Sequence, residues 1–324
     1  MTQPQVPLDS VALFGDRFAR PECVVATRAG DVFASDMRGG ISHVTPDGGR
    51  RLYAGASLDL SGPLHPNGFA LDRDGSFLVA HLGDSEGGVF RLTRAGALAP
   101  VLQRIDGDDL TAVNFVLRDA GGRLWITVPT RRRPRESAFR ADVADGYIVL
   151  MDRRGARVVA DGIGFTNELR LDAAGRHLYV NETYARRLTR FAVGADGALS
   201  GRETVTAFGE GEFPDGLALD AEGAVWVTCL VANRVLRIMP DGRRETVMEE
   251  TDAAYVAEVE AAYRAGAMRK AHINACPART LASVSSIAFG GPDLRTVYLG
   301  VLAGARLPTF RAAVTGAPMA HWRD

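Results

Sequence analysis

Short apolar runs recur along the chain, and each follows a glycine that stands eight residues after an oxygen-bearing residue. In four of the five clear copies an aspartate stands three residues before that glycine. Aspartate suits the first positions of a tight turn, and glycine accepts the positive φ that closes a hairpin, so each copy predicts a strand, a turn and a strand. The oxygen-bearing residues, called anchors below, are Glu22, Asn67, Asn114, Asn167 and Asp215, and their glycines are Gly30, Gly75, Gly122, Gly175 and Gly223.

A second hairpin follows in most copies, as in residues 88–96 and 234–242, which gives four short strands per copy. A weaker sixth copy begins at Ser286, and successive anchors are separated by 45, 47, 53, 48 and 71 residues. Four-stranded units at such periods are typical of β-propeller blades. The chain, residues 1–324, is therefore predicted to be all-β and to form a single six-bladed β-propeller domain. A β-sandwich with similar turns is the alternative, but a sandwich does not repeat a polar residue at a fixed offset before each turn.

The longest interval between anchors contains an additional segment, at about residues 249–283. Within it, residues 253–269 are rich in strong helix formers, with apolar residues near helical spacing. The segment is therefore predicted to be a helical insertion between blades five and six. It either packs against one face of the propeller or caps the mouth of the central channel.

Composition narrows the classes of partner and compartment. The 39 acidic and 38 basic residues nearly cancel, which argues against a nucleic acid or a membrane as partner. Three cysteines at wide spacing (Cys23, Cys229 and Cys276) do not form a disulfide framework and suit a reducing compartment. Neither a signal peptide nor an apolar run of roughly 20 residues is recognisable. We expect a cytoplasmic monomer or small homo-oligomer with a small-molecule substrate.

The anchors indicate a candidate metal site. The first strand of a propeller blade lines the central channel, so equivalent anchors from all blades, Ser286 included, converge on the axis. Two facing carboxylates, Glu22 and Asp215, repel each other unless a cation lies between them. An all-oxygen set of carboxylates and amides suits a hard divalent ion, Ca²⁺ first, with Mg²⁺ and Mn²⁺ as alternatives. A water-filled channel with solvated carboxylates is the interpretation without a metal.

Further polar residues flank the second blade. Asn67 shares the anchor register and is predicted to contact substrate in the channel. His65 and His81 are predicted to bind substrate or relay protons if they face the channel, and to be structural if they do not. A basic run, Arg131 to Arg135 with Pro134 inside it, comes just after the second strand of the third blade. It is either a solvated loop or a site that holds an acidic substrate at the channel entrance.

Several segments together resemble the family of senescence marker protein, gluconolactonase and luciferin-regenerating enzyme, which are six-bladed propellers. The resemblance extends from about Leu13 to Trp322. Its most specific part is Pro214-Asp215-Gly216 with the downstream Gly223 and Trp226. The other matching segments are residues 20–22 before 32–36, Asn114 before 122–125, and Thr166-Asn167 before 178–180.

The resemblance implies that Glu22, Asn167 and Asp215 ligate one divalent metal ion, with Zn²⁺ a further alternative to Ca²⁺. It implies that Asp215 also acts as base or nucleophile and that Asn114 contacts substrate or metal. The implied activity is metal-dependent hydrolysis of a lactone, a sugar-acid lactone or another small cyclic ester.

The chain departs from the family pattern directly after three anchors, at Cys23, Phe115 and Glu168, and carries Ala112 where sugar-acid lactonases often have an arginine. These departures put the sugar specificity in doubt. Two other functions remain open, namely phosphotriester or fluorophosphate hydrolysis on the same scaffold and small-molecule binding without hydrolysis.

Overall fold

The computed structural model describes residues 5–56, 59–84 and 86–322, and in it six antiparallel sheets of four strands form the blades of a β-propeller. The predicted all-β, six-bladed fold is confirmed. From the innermost to the outermost strand, blade 1 consists of Val24–Ala26, Val32–Asp36, Gly40–Val44 and Arg50–Ala54. Blade 2 consists of Pro66–Leu71, Phe77–Leu82, Gly87–Leu92 and Leu98–Leu102. Blade 3 consists of Phe115–Arg118, Leu124–Val128, Gly146–Asp152 and Gly155–Ile163. Blade 4 consists of Thr166–Leu171, His177–Glu182, Arg187–Val193 and Leu199–Ala207. Blade 5 consists of Glu212–Leu219, Val225–Val231, Arg234–Ile238 and Arg244–Glu249. Blade 6 consists of Val284–Gly290, Thr296–Val301, Leu307–Arg311 and Ala12–Phe14.

The repeated turn has the geometry that its residues predict. In blade 5, the amide of Gly223 donates to the carbonyl oxygen of Asp220 at 3.1 Å, and Gly223 has a φ of +83°. Gly75 and Gly122 adopt the same positive φ, at +79° and +84°. An L side chain is strained in this conformation, so the glycine fixes where each hairpin turns.

The ring closes through a strand that the sequence did not reveal. Ala12–Phe14 pairs antiparallel with Leu307–Arg311 and is the outermost strand of blade 6. The ring of Phe14 meets that of Tyr298 edge to face, with 5.0 Å between centroids. Residues from the two ends of the chain therefore complete one blade.

The predicted helical insertion lies between blades 5 and 6 as two helices, Ala253–Arg264 and Lys270–Asn274. The first is capped at its N-terminus by Asp252, whose side chain accepts a hydrogen bond from the Tyr255 amide, and it ends two residues before Gly266, which has a φ of +64°. The helix expected over residues 253–269 thus ends five residues early, at Arg264, and the second helix lies beyond the predicted range. No helix in the described ranges is long and apolar enough to cross a membrane.

Two further 3₁₀ turns border the tunnel region, and a separate short hairpin lies between blades 2 and 3. These two 3₁₀ turns are Arg135–Ala138 and Ala320–Trp322, and a third 3₁₀ turn elsewhere is Leu8–Ser10. The strands of the hairpin are Arg104–Ile105 and Asp108–Asp109.

Candidate active site

Five anchors line one cavity at an end of the central tunnel. They are Glu22, Asn67, Asn114, Asn167 and Asp215, each 9% exposed or less. They meet because each stands at or near the start of the innermost strand of its blade, as the repeat predicts. The cavity has a volume of about 230 Å³. That is below the roughly 300–1,000 Å³ of sites for drug-sized ligands, so it suits a molecule of a single small ring.

The two carboxylates of the cavity are each held by a neighbour. Glu22 forms an ion pair with Arg20, and Asp215 accepts a hydrogen bond from the Nδ2 of Asn167. The same Nδ2 donates to Thr183 Oγ1 at 2.9 Å. These contacts fix the Asn167 amide against Asp215, and no hydrogen bond within the described chain is accepted by its Oδ1.

The electrostatics of this end of the tunnel disfavour a charged Asp215 when no cation is bound. Burial and the charges of Glu22 and Glu168 raise the pKa of Asp215 well above its usual range. The hydrogen bond from Asn167 acts in the opposite direction and does not offset them.

Two buried amide oxygens in the cavity wall lack hydrogen-bond partners within the described residues. They are Oδ1 of Asn67 and Oδ1 of Asn114, while the Nδ2 of Asn67 donates to the Asn114 carbonyl oxygen at 2.9 Å. Buried polar atoms are nearly always hydrogen-bonded, so such oxygens indicate a ligand. Two mutually repelling carboxylates and unpartnered amide oxygens fit a hard divalent cation. The described residues contain no group of three or more His, Cys, Asp or Glu side chains placed for a metal, so any metal here relies on amide oxygens.

The residues that follow the anchors close the tunnel beneath the cavity. Glu168 and Arg170 form an ion pair of 3.0 Å with side chains only 6% exposed, and the Arg170 guanidinium lies 4.6 Å from the centroid of the Phe115 ring. Cys23 is buried beside them, and burial raises the pKa of its thiol. The departures from the family pattern at Cys23, Phe115 and Glu168 thus form one layer, which makes the cavity a closed-ended pocket.

Ser286, predicted to share the anchor level, lies in this deeper layer instead. Its Oγ donates to Glu168 Oε1 at 2.7 Å, whereas the Oγ of the preceding Ser285 donates to the Glu22 carbonyl oxygen at 2.8 Å. The prediction was one residue out of register because the turn of the sixth copy differs from the others. Ser285 therefore occupies the level of Glu22.

The two histidines of blade 2 have different positions. His65 lines the cavity, whereas His81 lies behind it, 2% exposed, with its Nδ1 accepting a hydrogen bond from the His65 amide at 3.0 Å. Burial lowers the pKa of His81 to about 4, and the neighbouring His65 contributes to that shift. The structure therefore brings His65 to the anchors but does not bring His81 to the cavity wall.

Other residues line the cavity that the sequence analysis did not assign to it, among them Arg20, Tyr184 and Lys270, and Arg135 joins them. Tyr184 stacks on Phe139 at 4.4 Å between ring centroids, and burial raises the pKa of its phenol. Arg135 belongs to the basic run, for which an anion site at the channel entrance was one of the two interpretations drawn from the sequence. Lys270 comes from the insertion, whose second helix thus lines the mouth while its first packs through Val259 into a cluster with Phe213. The insertion therefore packs against the propeller and contributes to the cavity wall, while a role as a cap stays a prediction.

A second cavity of about 260 Å³ opens at the opposite end of the tunnel, near Arg118 and Met319. The carboxylates of Asp119 and Asp172 in this cavity already contact other side chains of the protein. Asp119 accepts hydrogen bonds from Arg123 Nε and Trp125 Nε1, at 2.6 and 3.0 Å, and Asp172 Oδ2 lies 2.9 Å from His177 Nδ1. The unpartnered oxygens and close carboxylates are therefore features of the first cavity.

The fold is shared with solved structures of low sequence identity. A gluconolactonase from Xanthomonas campestris is 19% identical, with a TM-score of 0.66 over 93% of this chain and 89% of that one. Regucalcin from Agrobacterium tumefaciens, described as a calcium-binding protein, is 18% identical, with a TM-score of 0.63 over 94% of this chain and 95% of that one. At this identity the similarity shows the fold alone.

Curated relatives are similar over part of the sequence. A 6-deoxy-6-sulfogluconolactonase from Pseudomonas putida is 27% identical over 71% of this chain and 67% of its own length. Pentonolactonase XacC from Haloferax volcanii is 26% identical over 61% of this chain, and the match spans little more than half of that relative, 55%. The family described as "SMP-30/Gluconolactonase/LRE-like region" matches residues 20–259, which is most of the chain. The chain therefore belongs to the SMP-30/gluconolactonase/LRE-like family.

Proposed function

We propose that the protein hydrolyses a small lactone in the anchor-lined cavity, with the help of one divalent metal ion, Ca²⁺ first. The observation that carries this is the meeting of Glu22 and Asp215 with the unpartnered amide oxygens of Asn67 and Asn114 in one small pocket. The named lactonases among its relatives support the same reaction.

Glu22, Asn167 and Asp215 are the residues that would hold the ion, through two carboxylates and one amide oxygen. When bound, a divalent ion polarises the ester carbonyl and favours negative charge on its oxygen. Asn67, Asn114 and His65 line the remaining wall, where their polar groups would orient the lactone ring.

Asp215 would act as the base. Its carboxylate accepts the proton of a water molecule as the water oxygen attacks the carbonyl carbon. The ring C–O bond then breaks, the proton goes to the ring oxygen, and the product is a hydroxy acid. The hydrogen bond from Asn167 holds the carboxylate in place for this transfer.

Two substitutions separate the roles of Asp215 as ligand and as base. Asp215→Asn keeps an oxygen ligand without the charge or basicity, and we expect it to retain measurable metal but to lose lactone turnover by roughly 100-fold or more. Asp215→Ala should also lose the metal and the stabilisation that it confers. Glu22→Gln is the control, with weaker metal binding and turnover recovered at high ion concentration.

If Asp215→Asn hydrolyses lactone at a near wild-type rate with metal bound, Asp215 is not the base. A panel of phosphotriesters at the same protein concentration tests the alternative hydrolase activity, and preferential turnover of that panel would overturn the proposed reaction.

A further inference from the structure

The basic run between the second and third strands of blade 3 has side chains on the surface and one side chain in the cavity. Arg131 forms an ion pair with Asp161 at 2.8 Å, and Arg132 lies 3.7 Å from Asp145. Both arginine side chains are about half exposed, at 47% and 50%. Arg135, at the start of its 3₁₀ turn, points inward instead, with its side chain 14% exposed, and lines the cavity.

A second cation joins Arg135 at the cavity mouth. Lys270, the first residue of the short helix in the insertion, contacts Asp84, and Arg135 Nε lies 3.3 Å from the same carboxylate. The Asp84 carboxylate, whose side chain is 57% exposed, is therefore shared by two cations. Apart from this 3.3 Å ion pair, which lacks hydrogen-bond geometry, the buried Nε of Arg135 has no partner among the described residues. A planar group of N–H donors is thus available to a ligand.

The charges of the cavity wall favour an anionic ligand once the ion of the proposed function is bound. Three basic side chains (Arg20, Arg135 and Lys270) balance three carboxylates (Glu22, Asp84 and Asp215) along the wall. A divalent ion adds two positive charges. Because the ion would also be held by Glu22, the carboxylate with which Arg20 is paired, it would weaken that ion pair.

We propose that Arg135, together with Lys270, forms an oxyanion-binding subsite at the cavity mouth, and that the substrate is a lactone carrying a carboxylate, sulfonate or phosphate group. This inference rests on the proposed lactonase function. The inward arginine supplies a bidentate contact from the 3₁₀ turn Arg135–Ala138, and not from position 112, where Ala112 lies ahead of the innermost strand of blade 3. Specificity therefore resides in the segments inserted around the mouth, while the chemistry resides in the anchors.

A matched pair of probes tests the subsite without turnover. The first is a five-membered lactam bearing a carboxylate, which is not hydrolysed as a lactone is, and the second is its neutral carboxamide. Calorimetric titration of the calcium-loaded protein should show the carboxylate probe binding at least about 10-fold more tightly, the scale of charge-assisted hydrogen bonds to a partly buried anion. Equal affinities for the two probes would overturn the proposal.

Variants assign the preference to the inward arginine. Arg135→Met should abolish most of the preference for the carboxylate probe and leave carboxamide binding within about twofold. Arg135→Lys should keep part of the preference. Arg132→Met, on the surface of the same loop, should keep all of the preference. A preference that survives Arg135→Met in protein with an unchanged circular dichroism spectrum would contradict the assignment.

The corresponding lactones separate this inference from the function on which it rests. Hydrolysis of a carboxylate-bearing lactone and its carboxamide at equal kcat/KM would refute the subsite and leave the lactonase function standing. Preferential binding of the carboxylate lactam without hydrolysis of either lactone would support the subsite and refute the lactonase function.

Discussion

The ion pair that closes the tunnel gives a quantitative prediction for stability. Glu168 and Arg170 are each 6% exposed, and the Glu168 carboxylate also accepts hydrogen bonds from Ser286 Oγ at 2.7 Å and from the Leu217 amide at 3.2 Å. Glu168→Gln leaves the Arg170 cation buried without its counter-charge. Removing one partner of a buried pair costs about 3–5 kcal/mol, so we expect a loss of that size in the free energy of unfolding.

The partner substitution and the double variant complete the cycle. Arg170→Met leaves the Glu168 carboxylate buried, and since burial already raises its pKa, protonation relieves part of the cost at low pH. Glu168→Gln with Arg170→Met removes both charges and should lie within about 2 kcal/mol of wild type, because neutral replacements of buried pairs are well tolerated. The coupling energy between the two sites should therefore exceed about 2 kcal/mol.

The assay is urea unfolding at pH 7 in the presence of chelator, followed by tryptophan fluorescence, so that bound metal does not contribute. Glu203→Gln is the control, since this side chain pairs with Arg190 on the surface and is 49% exposed, and it should cost less than about 1 kcal/mol. If Glu168→Gln costs no more than this control, or if the two single effects simply add, the pair does not stabilise the tunnel as inferred.

Two further perturbations test other parts of the account. His81 has a pKa of about 4 in the folded protein and an ordinary value of 6.5, so the unfolded chain binds a proton that the folded protein does not, and the free energy of unfolding should fall as pH falls from about 6.5 to 4. By linkage the full loss in the free energy of unfolding is about 3 kcal/mol. The midpoint of urea unfolding should depend less steeply on pH in His81→Asn than in the wild type. An unchanged pH dependence would mean that His81 does not titrate in this way. Deleting residues 1–14 removes the strand Ala12–Phe14 and exposes the edge of blade 6. The melting temperature should therefore fall by several degrees. An unchanged melting curve would show that this strand does not stabilise the closed propeller.

The blades and five of the anchors could be predicted because they depend on local, repeated chemistry. The Asp and Gly of each turn set where a hairpin reverses, and the fixed offset then places Asn67 or Asp215 at the same level of its blade. The cavity follows from that symmetry. The error at Ser286 arose where the repeat itself changes, since a different turn in the sixth copy shifts the register by one residue.

The remaining features depend on contacts between distant parts of the chain. Ala12–Phe14 pairs with residues almost 300 positions away, and no local pattern marks so short a strand. Arg135 and Lys270 reach the cavity from a loop and an insertion that lie outside the repeat. The basic run suggested an anion site, but only the structure distinguishes its one inward arginine from its surface neighbours.

The most direct test of metal-dependent lactone hydrolysis is the initial rate of the chelated protein as a single divalent ion is returned, with Ca²⁺ first. The rate should rise from background and saturate at one bound ion per chain, and removing the ion again should abolish it. Lactone hydrolysis at the full rate in chelated protein shown by elemental analysis to be free of metal would contradict the account.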